Sequence, residues 1–222
     1  MNKRLIIVGI LVLALSIIGK IAFSLLKNIK VDDFHKASVI FVVDSSASNQ
    51  SMLPEEIKYI KSLCAILDPE DAIKILKVSQ NSYLIYEGSP GDSKGISKAV
   101  NAFTQLDNND YGTAYGEALK KALDHALTMK KEGYVPAVVI IGDLENEGEI
   151  SKQINWETLP DNIKAVQQYI PELSMMFVYA HPEKLDLVKT KLNPVLGETK
   201  LIVANKENVD KANRRFLEAI GR

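Results

Sequence analysis

Two short runs of almost uninterrupted aliphatic and β-branched residues, SVIFVV (Ser38–Val43) and AVVII (Ala137–Ile141), each deliver an aspartate just past their carboxyl end, Asp44 and Asp143. A strand with no polar alternation has to be covered on both faces, and this pattern belongs to sheets flanked by helices above and below. The intervening sequence supplies such helices. Pro54–Leu67 places Ile57, Ile60, Cys64 and Leu67 at helical spacing with Pro54 suited to the first turn. Tyr115, Ala118, Leu119, Ala122, Leu123, Ala126 and Leu127 recur at i, i+3, i+4, i+7 and i+8, and Gly133 is a suitable stop. Shorter signals predict a hairpin of Ile73–Ser79 and Ser82–Glu87, helices at Ser93–Phe103, Asn162–Ile170 and Leu185–Lys191, and strands at Met175–Tyr179 and Leu201–Ala204. Val209, Ala212, Phe216 and Ile220 mark a terminal amphipathic helix, while Gly88–Gly95 and Asp107–Gly112 read as loops. The expected architecture is α/β: a mostly parallel six-stranded sheet with helices on both faces and one antiparallel edge strand from the hairpin.

Charge is distributed unevenly along the chain. The first 30 residues hold Lys3, Arg4, Lys20, Lys27 and Lys30 and no acid, whereas the remainder carries 22 basic against 28 acidic side chains, a net charge of −6. An acidic body without basic clusters offers no footprint for nucleic acid. Leu5–Leu26 (LIIVGILVLALSIIGKIAFSLL) contains one charge in 22 residues, and a membrane-spanning helix needs roughly 20 mainly apolar residues. This run predicts an uncleaved N-terminal transmembrane signal anchor over residues 1–30, then a connector at 31–37 and one domain at 38–222. A cleaved signal and a peripheral helix are the alternatives; against cleavage, no A-x-A site follows and the apolar run resumes after Lys20. The favoured topology is a single-pass membrane protein with its amino terminus inside and its domain extracytoplasmic. Cys64 is the single cysteine, so no intrachain disulfide is available.

In open parallel sheets, ligands bind outside the carboxyl ends of the strands. Three stretches deliver oxygen groups to that edge: Asp44, Ser46 and Ser48 at i, i+2 and i+4; Thr113, opening the strongest helix; and Asp143, after the second buried run. Two carboxylates and three hydroxyls, with no histidine or thiol, suit Mg²⁺, with Mn²⁺ as an alternative, rather than Zn²⁺. Two carboxylates balance the dication, and neutral hydroxyls leave it electrophilic enough to take a carboxylate from another molecule.

VIFVVDSSASN, YGTAYGEALKKAL and AVVIIGDLENEGE, in this order, resemble the von Willebrand factor type A domain and its metal-ion-dependent adhesion site, in which D-x-S-x-S, a distant Thr and a later Asp share one ion. The resemblance spans about residues 37–220 and implies a Rossmann-like doubly wound fold that is not an enzyme. It implies that Asp44, Ser46, Ser48, Thr113 and Asp143 hold Mg²⁺, the hydroxyls directly and the aspartates in part through water, and that a protein partner donates an Asp or Glu. Two positions depart from the pattern: Ala47 stands where glycine is frequent, and Gly142-Asp143-Leu144 replaces Thr-Asp-Gly, which puts the geometry of the loop after Asp143 in question. Glu145, Glu147 and Glu149 make the rim acidic.

Other readings compete. An assembly factor working with an AAA+ ATPase in a membrane complex requires the domain inside. Gly91-Asp92-Ser93-Lys94-Gly95 matches G-x-S-x-G, with Asp143 and His181 following in hydrolase order, but Gly88-Ser89-Pro90 separates Ser93 from the preceding strand. Ser93 is better explained as a helix cap. A phosphatase with Asp44 as nucleophile lacks the usual second carboxylate, since Ser46 occupies that position. Cys64 is expected to be packed, and Trp156 to be packed in preference to anchoring a partner.

Overall fold

The protein is described here from a computed structural model, which covers residues 35–104 and 112–222. The expected anchor, the connector up to residue 34 and most of the polar turn at 107–112 lie outside the described residues. Among the described residues, no helix is long and apolar enough to cross a membrane.

Six strands are present: β1 (Ala37–Asp44), β2 (Ala72–Val78), β3 (Ser82–Gly88), β4 (Val135–Ile141), β5 (Ser174–Val178) and β6 (Leu201–Ala204). Their order across the sheet is β3-β2-β1-β4-β5-β6, and every pair is parallel except β2–β3, which is antiparallel. Strand order therefore reverses between β1 and β4, and an open α/β sheet has its ligand crevice at such a switch point. The helices are α1 (Leu53–Cys64), α2 (Ser93–Asn101), α3 (Tyr115–Lys131), α4 (Leu159–Gln167), α5 (Pro182–Leu196) and α6 (Val209–Ala219).

Side chains alternate across the sheet with a period of two. Ile40 and Val42 join β4 and β5 residues under α3, α4 and α5, whereas Val39, Phe41 and Val43 face α1, α2 and α6. All eight residues of β1 are buried, which is why its sequence shows no polar alternation.

Several helix boundaries depart from the sequence expectation. Helix α5 runs for 15 residues, well past Lys191, and contains Pro194. Proline in the last turn removes only one N–H bond, and Gly197, at φ 72°, forms the cap. Helix α1 ends at Cys64, three residues before Leu67, which is still buried in the following turn. Helix α4 begins at Leu159 with Pro160 in its first turn. The cap of α2 is Asp92, whose Oδ1 accepts from Gly95 N at 2.9 Å, so Ser93 is the first helical residue and not the cap.

Candidate functional site

The site is built where β1 and β4 end side by side. Beyond Asp44 the chain turns sharply because Ser45 donates twice to Val78 O, from its backbone N at 2.8 Å and its Oγ at 2.9 Å. Asp44 Oδ1 then accepts from Ser46 N at 2.7 Å, curling the backbone so that Ser46 Oγ and Ser48 Oγ lie 3.0 Å apart. Asp44 and Ser46 are fully buried, while Ser48 is exposed. The turn closes at Asn49, whose N donates to Ser46 O at 3.2 Å. Its side-chain amide reaches Asp44 O at 3.1 Å and both oxygens of Glu56, at 3.0 and 2.9 Å.

Strand β4 presses its end against this turn. Gly142 sits at φ 137°, and a Cβ there would overlap Asp44 Cβ and Tyr115 Oη. Only glycine suits this close approach and this backbone. The half-buried Asp143 repeats the motif of Asp44, its Oδ1 accepting from Glu145 N at 2.8 Å. Leu144 then adopts φ 62°, the left-handed region favoured by glycine. The loop thus takes a glycine-like conformation although leucine occupies the position. Leu144 tolerates the strain with its side chain 1% exposed in the core.

Thr113 enters from the third direction. Its N donates to Glu147 O at 3.0 Å, and the next residue, Ala114, donates to Ser79 O at 2.7 Å. Helix α3 begins at Tyr115 with Ala114 as its cap residue and no side-chain cap bond, so Thr113 does not cap it. Instead, Thr113 Oγ1 is buried without a hydrogen-bond partner among the described residues, as are the hydroxyls of Ser38, Ser82 and Ser79, the last one residue beyond the strand position paired with Asp44. Tyr115 knits the three stretches together: its fully buried hydroxyl donates to Asp44 Oδ2 at 2.9 Å and accepts from Leu144 N at 3.3 Å.

The electrostatics are one-sided. Burial pushes the Asp44 carboxyl from 3.8 up to about 7, with the Asp143 charge adding to the rise and the Ser46 and Tyr115 hydrogen bonds opposing it. Glu56, on the buried face of α1, is pushed up to about 8, again by burial first, with Asp44 and Asp143 contributing. Burial beside the same two acids raises the Tyr115 hydroxyl well above its ordinary value. Among the described residues, no lysine or arginine forms a salt bridge with Asp44, Glu56 or Asp143.

Carboxylates and hydroxyls without histidine or thiol are the donor types that a hard divalent cation takes. Among the described residues, no three His, Cys, Asp or Glu side chains cluster to hold a metal, and Thr113 presents a buried hydroxyl with no partner there. Residues 39–146 match the profile of the von Willebrand factor type A domain. Over these residues the chain is similar to a von Willebrand factor type A domain.

Solved structures agree at the level of fold. A von Willebrand factor type A protein from Catenulispora acidiphila superposes with a TM-score of 0.56 at 14% identity, covering 84% of this chain and 43% of that one. An aerotolerance-related membrane protein from Bacteroides fragilis, with multiple mutations to serine, gives 0.54 at 15% identity over 83% of this chain and 98% of its own. Proximal thread matrix protein 1 from the mussel byssus, with a zinc-occupied MIDAS motif, gives 0.55 at 10% identity over 83% and 48%. The chain thus spans less than half of the Catenulispora and mussel proteins. No curated protein matches the sequence. Domains of this type are generally interaction modules rather than enzymes.

The strand pairing also separates Ser93 from the other members of the hydrolase pattern. Gly88 pairs with Ile73, so β3 ends at the amino-terminal edge of the sheet, whereas Asp44 pairs with Val78 at the other. Ser93 therefore follows a strand end about 16 Å of strand away from the Asp44–Asp143 edge. Cys64 is buried, with its thiol pushed up to about 12 by desolvation, and the half-buried Trp156 packs against the core.

Three participants were missed at the sequence level. Tyr115 reads as the first apolar residue of a helix stripe, and its hydroxyl role needs the fold to be seen. Asn49 lies one residue beyond the D-x-S-x-S motif. Glu56 left a usable trace, an acid four residues before Ile60 on the buried row of α1.

Proposed function

We propose that this von Willebrand domain is a membrane-tethered binding module that captures a protein partner through Mg²⁺, with Mn²⁺ the closest substitute. Asp44, Ser46, Ser48, Thr113 and Asp143 would hold the ion. The observation that carries this reading is the Thr113 hydroxyl, buried and unpartnered among the described residues, two positions before the Tyr115 whose hydroxyl binds Asp44, an acid that no described lysine or arginine pairs. An unmade buried hydrogen bond costs about 1–3 kcal/mol, and a cation would use the lone pairs that the fold leaves idle. The zinc-occupied MIDAS motif of the mussel protein supports a divalent ion in this fold; the all-oxygen donor set favours Mg²⁺.

When bound, the ion supplies a Lewis-acidic position that a carboxylate can occupy. The chain's own residues set its selectivity. Ser46, Ser48 and Thr113 contribute neutral oxygens, so the positive charge is not cancelled and a partner Asp or Glu gains by completing it. Glu147, exposed beside Thr113, disfavours a partner with an acidic cluster and favours a lone acid flanked by basic residues. Leu5–Leu26 would anchor the chain with its domain extracytoplasmic, in keeping with the membrane label of the Bacteroides fragilis protein.

The test is a thermal melt of the full chain in detergent, stripped with EDTA and then titrated with Mg²⁺. A site saturated a hundredfold above its Kd stabilises by about 2.7 kcal/mol, which raises the Tm of a domain this size by roughly 5–10 °C. Asp44→Ala removes that rise. A wild-type Tm indifferent to Mg²⁺ and Mn²⁺ would refute the cation reading. Protease accessibility in intact cells decides which side the domain faces, and protection would favour the ATPase-linked alternative.

A further inference from the structure

Glu56 is the most costly side chain near the site. Its carboxyl is fully buried on the row of α1 that otherwise buries Leu53, Ile60, Leu63 and Cys64, where a leucine would pack without an electrostatic penalty. Its recorded hydrogen bonds all come from the Asn49 amide. That amide is shared three ways, between the two Glu56 oxygens and the backbone carbonyl of Asp44. Asn49 also donates its backbone N to Ser46 O. The segment carrying Ser46 and Ser48 is therefore held at Asp44 and at Asn49, and the Asn49 end leads to Glu56.

We propose that Glu56, acting through Asn49, is a positioning residue of the cation site: it holds the Asp44–Asn49 turn in shape and places a third negative charge behind the two acids. The proposal rests on the cation reading given above. Glu56 acts from behind the turn, because both of its carboxylate oxygens accept from the Asn49 amide. Glu56 nevertheless lies close enough to feel the site, since the Asp44 and Asp143 charges add to the rise that burial imposes on its carboxyl. A buried acid that repels its neighbours burdens the metal-free fold and becomes favourable once a dication sits among them. Outer partners of this kind typically change metal affinity by about 10–100-fold.

The experiment is a calorimetric Mg²⁺ titration of metal-free full-length protein in detergent, paired with melts in EDTA, at a pH above the value of about 8 to which burial pushes Glu56. Glu56→Gln keeps the shape and removes the charge; Asn49→Ala keeps the charge and cuts the tie. The expected result is a Kd for Mg²⁺ raised about tenfold in each variant, with Glu56→Gln melting at or above wild type in EDTA. Loss of packing alone would lower the metal-free Tm and leave the Kd unchanged. Kd values within twofold of wild type in both variants would overturn the proposal while leaving the cation site intact. No Mg²⁺ binding by wild type would instead sink the cation reading, and this inference with it.

Discussion

Asp44→Asn should stabilise the metal-free protein while destroying its response to Mg²⁺. Asp44 ionises near 3.8 in the unfolded chain and near 7 in the fold. Between these values the folded protein keeps a proton that the unfolded chain has released, so stability falls as pH rises through that window and levels off above about 7. Completing that titration costs the wild type about 4 kcal/mol. Asparagine does not titrate, but its amide group must replace the oxygen that accepts from Tyr115 Oη, a loss of about 1–2 kcal/mol. The net gain for Asp44→Asn is then about 2–3 kcal/mol at pH 8, or roughly 4–10 °C in Tm. At pH 5 the wild-type penalty has shrunk to about 2 kcal/mol, and the two proteins should melt together. Thermal or urea unfolding in EDTA at both pH values measures this directly. An Asp44→Asn protein that melts below wild type at pH 8, or whose advantage is the same at pH 5, refutes the argument that Asp44 is a buried acid without a counterion.

Three further outcomes follow from the geometry. At Leu144, φ 62° penalises every residue except glycine by about 1 kcal/mol, and the buried leucine contributes about 2–5 kcal/mol of packing. Both Leu144→Ala and Leu144→Gly should destabilise in urea, but Gly should match or exceed Ala, the reverse of their usual order. Asp92→Ala should cost about 1 kcal/mol because it caps α2, whereas Ser93→Ala should stay within about 0.5 kcal/mol, and a fluorophosphonate probe should leave Ser93 unlabelled. Gly116→Ala, ordinarily a gain inside a helix, should cost about 1–3 kcal/mol in a thermal melt, because the new Cβ would overlap the Gln153 carbonyl.

What could be read from the sequence divides along physical lines. Strands β1 and β4 were legible because burial on both faces leaves an unbroken apolar run, and α3 because a long amphipathic stripe has one reading. Helix α5 extends beyond the expected Leu185–Lys191 at both ends, its last turn accommodating Pro194 because proline is cheap there. The α2 cap was assigned to Ser93 where Asp92 serves, since adjacent capping residues look alike without backbone angles. Leu144 looked like damage to the motif, and only its φ value reveals that the backbone shape survives. Tyr115 and Glu56 escaped for a deeper reason: sequence periodicity reports which face is buried, not which polar atoms on that face meet. The span at Leu5–Leu26 rests on its composition alone.

Comparing two buried aspartates at opposite edges of the sheet shows what the candidate site lacks. Asp71 is as hidden as Asp44, yet its carboxylate accepts from Ala37 N at 2.7 Å and Asp68 N at 3.0 Å and is forked by the Arg222 guanidinium. That acid is satisfied by the chain itself and stitches the start of β1 to the turn before β2 and to Arg222. Asp44 has the Ser46 N–H and the Tyr115 hydroxyl but, among the described residues, no cationic side chain. Its neighbours worsen its position: Asp143 adds repulsion, and Thr113 and Ser79 add hydroxyls unused among the described residues. Left-handed Leu144 stores strain in the same loop. Buried charge normally survives in a fold only when paired, and this chain provides that pairing at one edge while withholding it at the other. The withheld counterion is the physical reason to expect a cation there.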